Sequence, residues 1–230
     1  GITTTTINGS AVGRIFDITN GVVVLDNLLL TNGVAENGGA IQITNASLQL
    51  AAVAISNSVA NGMSGSGGGI FVGSGAQLIA TNSSLKNNVA NRAGGAIEMV
   101  AGTTVTLNSV IFEFNNAGVA PATAAPGNGG GIHVTGMATT TIIGGRFKGN
   151  MAAAEGGALW NGSGTMTITG TEVIENTASG IAADNGGGGI YNLNGGTLNI
   201  EDAQIMNNEA NGSAGSGGGI LNDVGSTLTI

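Results

Sequence analysis

Along most of this chain apolar and polar residues alternate in short runs that recur at a nearly fixed interval. Alternation sends successive side chains to opposite faces, which is the signature of a strand. One run supplies Ile41/Ile43, Ile70/Val72, Ile97/Met99 and Ile132/Val134 as inward pairs. A second supplies Val23/Leu25, Leu48/Leu50, Val105/Leu107, Met166/Ile168, Leu198/Ile200 and Leu228/Ile230. A third contributes Leu30, Ile55, Leu85, Phe112, Phe147, Val173 and Ile205. No window carries a 3.6-residue period, and the interval leaves no room for a crossover helix. The pattern predicts an all-β fold, a right-handed parallel β-helix. It is expected as a three-faced solenoid of about eight coils of 25–35 residues, each strand pairing with its equivalent one coil away. A threonine-rich strand over residues 2–7 precedes the first coil.

The repeat has a rigid part and a variable part. A Gly-Gly-x-Ile/Leu anchor ends at Ile41, Ile70, Ile97, Ile132, Leu159, Ile190 and Ile220, with a degenerate copy around Phe16. From six of these anchors to an alanine later in the coil (Ala60, Ala90, Ala117, Ala152, Ala178, Ala210) the distance is 19 or 20 residues. From those alanines to the next anchor it runs from 7 to 15. Stacked strands must hold register, whereas a solvent-facing loop need not. All length variation is therefore expected on one edge. Its longest loop, residues 118–128, holds both prolines and is a candidate binding loop through Gly118, Pro121, Pro126 and Asn128. Three residues beyond the third-run apolar position stand Ser58, Asn88, Asn115, Asn150, Asn176 and Asn208. Asparagines stacked at one coil spacing hydrogen-bond through their side-chain amides, so these predict a structural ladder at a bend.

Composition narrows the function classes. With 44 glycines and 8% charged residues against 41% hydrophobic ones, the chain turns often and buries small aliphatics. Five basic residues against thirteen acidic ones give a net charge of −8. That balance cannot neutralise phosphates, so nucleic acid and anionic membrane surfaces are not expected partners. There is no cysteine, and no apolar stretch long enough to span a bilayer.

Two motifs carry a family resemblance. Phe112-Glu113-Phe114-Asn115 and Phe147-Lys148-Gly149-Asn150 give Phe-x-x-Asn, and Gly38-Gly39-Ala40-Ile41 and Gly94-Gly95-Ala96-Ile97 give Gly-Gly-Ala-Ile. Together they resemble the repeat of the chlamydial polymorphic outer-membrane proteins. The run Gly188-Gly189-Ile190-Tyr191-Asn192, followed by Gly196-Thr197-Leu198-Asn199-Ile200, is similar to coils of long bacterial surface proteins. The resemblance covers the chain from about Phe16 onward and departs from the family where several coils carry Leu, Ile or Val in place of Phe. It implies a pectate-lyase-like β-helix, an extracellular or cell-surface location, and adhesive or structural roles.

Polysaccharide-active enzymes on such folds need an acidic cluster with a basic residue, or a close set of carboxylates. Of the basic residues, only Arg146 and Lys148 sit close together, and Glu113 aligns beside Lys148 as a surface ion-pair partner. Glu172, Glu175, Glu201, Asp202 and Glu209 form a solvated acidic face without a tight dyad. His133, the only histidine, has no nucleophile and orienting group that the sequence can place around it. The chain is expected to be no enzyme and to need no metal or cofactor. One outward column stands out: the residues after successive anchors include Phe71, His133, Trp160 and Tyr191, a candidate aromatic contact strip. It either stabilises neighbouring strands or binds carbohydrate or another chain. A second column, Thr104/Thr106, Thr139/Thr141, Thr165/Thr167, Thr197/Asn199 and Thr227/Thr229, resembles the ranks of ice-binding solenoids.

The chain stops inside a strand, at Thr227-Leu228-Thr229-Ile230, without the polar cap that repeat arrays carry. The expectation is a single β-helix domain over 1–230, a segment of a longer array or a subunit that associates head to tail with itself. The leading functional expectation is a structural or adhesive surface solenoid, with a cell-surface glycan as the alternative partner.

Overall fold

The computed structural model describes residues 4–193 and 195–230. Among these residues the fold is an all-β parallel solenoid without helices. The start of the strand expected over residues 2–7 lies outside the described residues; the strand itself spans Thr5–Asn8. Each turn begins with an anchor strand such as Ile97–Met99, then a long strand such as Thr104–Asn108, then a third such as Ile111–Glu113. These stack into three eight-stranded sheets. The aligned apolar residues fall in register in every sheet: Ile41, Ile70 and Ile97 in the first, Leu48 and Leu78 in the second, Leu85 and Phe112 in the third.

The three-faced expectation needs a correction. A fourth strand of only two residues, such as Val89–Ala90 or Asn116–Ala117, closes each turn, and seven of these form a fourth sheet. It ends on the alanine column, whose members pair with one another. Two residues are too few to show a period, so the alternation pattern could not display this strand. The turn count also shifts. Seven complete turns run from Phe16–Ile18 to Glu209–Ala210, where about eight coils were expected.

The core is a column of aliphatic rungs. Ile41, Ile70, Ile97, Ile132, Leu159 and Ile190 have no exposed surface, and each such side chain contributes about 1.5–3 kcal/mol by burial. Phe112 and Phe147 stack with centroids 4.4 Å apart. The two anchor glycines do different work. Gly94 sits at φ +60°, in the left-handed region where a side chain is strained, whereas a Cβ on Gly95 would strike the Gly130 carbonyl one turn away. The second glycine therefore sets how closely the turns approach.

The bends are equally regular. One bend places Asn32, Asn57, Asn87, Phe114, Gly149, Glu175 and Asn207 at positive φ, and after all but Asn32 a ladder residue comes directly next. Asn88 donates through Nδ2 to Asn115 Oδ1 (3.0 Å), Asn115 to Asn150 (2.9 Å), Asn150 to Asn176 (2.9 Å) and Asn176 to Asn208 (2.8 Å). Each receiving Oδ1 also accepts the backbone N–H of the preceding rung. Each Nδ2 donates a second bond to a buried carbonyl, for example Asn150 to Phe112. A buried amide with all its capacity satisfied rigidifies a bend where an unpaired one would destabilise it.

Candidate functional site

The anchor strands send the residue after each anchor away from the core. Register places Asp17, Gln42, Phe71, Glu98, His133, Trp160, Tyr191 and Leu221 on one line. The variable connections immediately precede these strands in the chain and fold over the line. In consequence much of the expected outward column is roofed: Glu98, His133 and Tyr191 are buried. His133 stacks on Trp160 with centroids 4.1 Å apart, and Trp160 lies parallel to Tyr191 at 6.2 Å. Neighbouring rings thus lie against both faces of the indole, His133 closely and Tyr191 at the wider spacing. Phe71 is half-buried between Gln42 and Glu98 in the register and stands apart from this stack.

A polar cluster lies beneath the long loop. The Glu98 side chain is fully buried, and its Oε1 accepts from Arg92 Nη2 (2.6 Å) and from the Thr135 hydroxyl (2.7 Å). Its Oε2 lies 2.9 Å from His133 Nδ1, off the hydrogen-bond direction and with no other partner. Burial alone would raise the Glu98 pKa. The His133 ring, the Arg92 guanidinium and the Thr135 hydroxyl outweigh burial and hold the carboxyl below its ordinary range. Since Thr135 gives its proton to Glu98, its oxygen accepts from His133 Nδ1 at 3.2 Å. Both neighbours of Nδ1 are acceptors, which places a proton on Nδ1. The histidine therefore does have an orienting group, contrary to the expectation from sequence.

A second carboxylate staples three connections together. Glu155 accepts from Trp160 Nε1 (2.9 Å), from Asn128 Nδ2 (3.4 Å) and from Asn185 Nδ2 (2.8 Å). Tyr191 donates to the Asp184 carbonyl (3.1 Å) and to Asp223 (3.3 Å). Burial first, then the charges of Glu155 and Asp223, push its phenol well above the usual value of 10.0.

The 118–128 loop is pinned at both ends. Gly118 donates its N–H to the Ala90 carbonyl, Thr123 to Asn91 Oδ1, and Gly127 and Asn128 both to the Arg92 carbonyl. Gly118 turns at φ +74° against Gly127, and Pro121 is exposed at the tip. Pro126 and Asn128 instead line a cleft of about 310 Å³, together with Arg92, His133, Trp160 and Ser163. The candidate loop and the candidate aromatic column thus meet at one place.

Other expected features resolve as follows. Glu113 pairs with Lys86 (2.8 Å) and with Arg146, whereas Lys148 turns to Glu175 (3.3 Å) in place of its strand neighbour Glu113. Lys86 and then Arg146 hold Glu113 below the ordinary carboxylate range, against the opposing effect of partial burial. No group of three or more acidic, histidine or cysteine side chains suited to a metal occurs among the described residues. The threonine ranks align across five turns, with Thr140 between them facing inward and donating to Met99 Sδ. A shallower groove of about 390 Å³ follows their edge past Met137 and Thr139.

Sequence reasoning missed three things. Arg92 and Glu98 were not joined, because a variable connection brings them together. Glu155 was not singled out. A second amide ladder, Asn161 to Asn192 to Asn222 with both links at 2.8 Å, was also missed. Its signal was present: the inward position two residues after each anchor changes from Ile43, Val72, Met99 and Val134 to asparagine. The ladder ends against Val134, and Asn161 Oδ1 has no partner.

The chain is similar to the probable outer membrane protein pmp7 of Chlamydia pneumoniae. The two are 30% identical over 170 residues, 70% of this chain and 18% of pmp7. The chain therefore spans less than a fifth of the length of pmp7. No family model matches the chain, and no solved structure matches it significantly. No helix among the described residues is long and apolar enough to cross a membrane.

Proposed function

We propose that this chain is a stretch of a non-enzymatic, surface-located β-solenoid that serves a structural or adhesive role outside the cell. The observation that carries the reading is the similarity to an outer membrane protein across 70% of the chain. A spine of stacked strands with all but one-residue length changes on one edge supports it, since such a rod holds variable loops outward at fixed spacing. The charged side chains support the non-enzymatic part: Glu113 is engaged by Lys86 and Arg146, and Glu98 by Arg92, Thr135 and His133, in arrangements that hold strands and loops in place. The test has two arms. Protease shaving of intact cells of the source organism releases peptides of this chain, and latex beads coated with it bind host or neighbouring cells above an albumin control. Peptides found only after lysis overturn the location. Turnover of any member of a polysaccharide panel, scored by new reducing ends or unsaturated products, overturns the non-enzymatic role.

A second reading rests on the threonine ranks, whose outer members Thr104, Thr139, Thr165 and Thr227 are exposed and in register. We propose ice adsorption as that alternative. Absence of thermal hysteresis and of ice-crystal shaping by the purified chain discards it.

A further inference from the structure

We infer that the cleft under the 118–128 loop binds a neutral, polyhydroxylated ring, the size of one or two sugar units, by its hydroxyl groups. The site is independent of where the protein resides. It is built by buried and mutually bonded groups, with Glu98 and Glu155 fixing Arg92, His133, Trp160 and Asn128 around one volume. Room is made by glycine: a Cβ on Gly162 would lie 2.9 Å from the Trp160 ring and 2.8 Å from the Val134 carbonyl. At about 310 Å³ the cleft is at the small end of ligand sites.

The unused hydrogen-bonding capacity points to hydroxyls. Asn128 Oδ1 is buried without a partner, and Nε2 of His133 is the ring nitrogen that neither Glu98 nor Thr135 engages. Arg92 uses Nε on Ser66 and Nη2 on Glu98, which leaves Nη1 as a donor. A hydroxyl donates and accepts at once, so a vicinal pair answers the Asn128 acceptor, the Arg92 donor and the His133 ring nitrogen together. Pro126, Leu193 and the indole edge supply apolar wall for C–H groups. Ring stacking is not the mode, because the indole faces are already taken by His133 and Tyr191.

Charge excludes the acidic alternatives. The Arg92 guanidinium is neutralised by Glu98, and Glu155 adds a further carboxylate against Trp160. A carboxylate or phosphate ligand meets two fixed carboxylates and a guanidinium that is already paired, and a cationic ligand meets Arg92. A neutral polyol meets neither penalty.

The chain has a single tryptophan, and it lines this cleft, so its emission reports on the site alone. The purified chain is titrated with methyl glycosides of glucose, galactose, mannose and N-acetylglucosamine, with cellobiose and maltose, and with glucuronate and galacturonate. The expected result is a saturable emission change with at least one neutral member and a markedly weaker response to the acids. Asn128→Leu, at the roof of the cleft, weakens that binding about tenfold, the loss of one or two hydrogen bonds. Pro121→Ala, on the same loop but away from the cleft, leaves it unchanged. Tighter binding of the acids overturns the inference. So does the absence of any response in both emission and saturation-transfer NMR at millimolar ligand. Equal binding by Asn128→Leu and the parent moves the ligand elsewhere and overturns it too. None of these outcomes depends on surface location, which the shaving experiment tests separately.

Discussion

Replacing Asn150 by alanine tests whether the amide ladder stabilises the bend as its bonds suggest. Asn150 is fully buried, and its Oδ1 is the acceptor for both the backbone N–H (3.1 Å) and the Nδ2 (2.9 Å) of Asn115. Its own Nδ2 serves Phe112 O (3.1 Å) and Asn176 Oδ1 (2.9 Å). Truncation leaves the Asn115 N–H without its acceptor, at about 1–3 kcal/mol for an orphaned buried group. The other three groups lose a bond each, at about 0.5–1.5 kcal/mol apiece. Asn115 Nδ2 keeps Leu85 O, and Asn176 Oδ1 keeps the Asn150 N–H. The expected cost is roughly 3–6 kcal/mol. At the half-exposed lower end of the ladder, water replaces what Asn208→Ala removes, and about 1 kcal/mol is expected. Asn150→Ser falls between the two, because Ser58 already serves natively as an acceptor for the Gly33 N–H. Repeat arrays open locally, so urea unfolding is paired with hydrogen exchange read at the Asn115 amide. Undiminished protection of that amide in Asn150→Ala, or equal costs for Asn150→Ala and Asn208→Ala, refutes the reasoning.

Three further outcomes are expected. Glu98 and Glu113 both have pKa values below the 4.5 of the free side chain, so their contribution is present above 4.5 and is lost as pH falls through the depressed folded values. The urea midpoint should drop on acidification below 4.5, and Glu98→Gln, less stable at neutral pH, should show a smaller further drop; an equal drop in both proteins counts against the assignment. The Tyr191 phenol is raised above 10.0, so the folded chain retains its proton longer and loses stability as pH climbs past that value. Tyr191→Phe should flatten this alkaline limb, followed by circular dichroism. Phe114 holds φ +56° where other turns carry Asn32, Asn57, Asn87 and Asn207, so Phe114→Asn should stabilise by about 1 kcal/mol, less what its ring gains over Gly149. An unchanged or lowered urea midpoint shows that the ring contact outweighs the backbone strain.

The spine was legible because it is made of columns, and columns repeat. Gly94-Gly95 before Ile97, Ala117 twenty residues on, and Asn115 after Phe112 each recur at the same offset in other turns. A periodic feature can be averaged over seven copies, which is why register and ladder were readable without coordinates. The fourth strand was not, since Val89–Ala90 is shorter than any period. Nor was the cleft, since it depends on contacts that occur once. Arg92 and Glu155 lie in connections whose lengths differ, and nothing in their spacing aims Arg92 at Glu98 or Glu155 at Trp160. The buried state of His133 had the same origin: the strand sends the ring outward, and the neighbouring connection covers it.

The separation of a length-constant spine from a length-variable edge sets what this chain can tolerate. Connections of 7 and 15 residues coexist in adjacent turns, and the strands on either side keep their partners. Closing a loop twice as long costs only about 0.6 kcal/mol more, a small penalty on a turn whose core is unaffected. An insertion on this edge is therefore nearly invisible to folding, while one within a strand of the 19- or 20-residue segment turns the side chains beyond it to the wrong face of that strand. Peptides grafted into successive connections, the Pro121 tip among them, should then be displayed side by side at the spacing of neighbouring turns, without redesign of the scaffold that carries them.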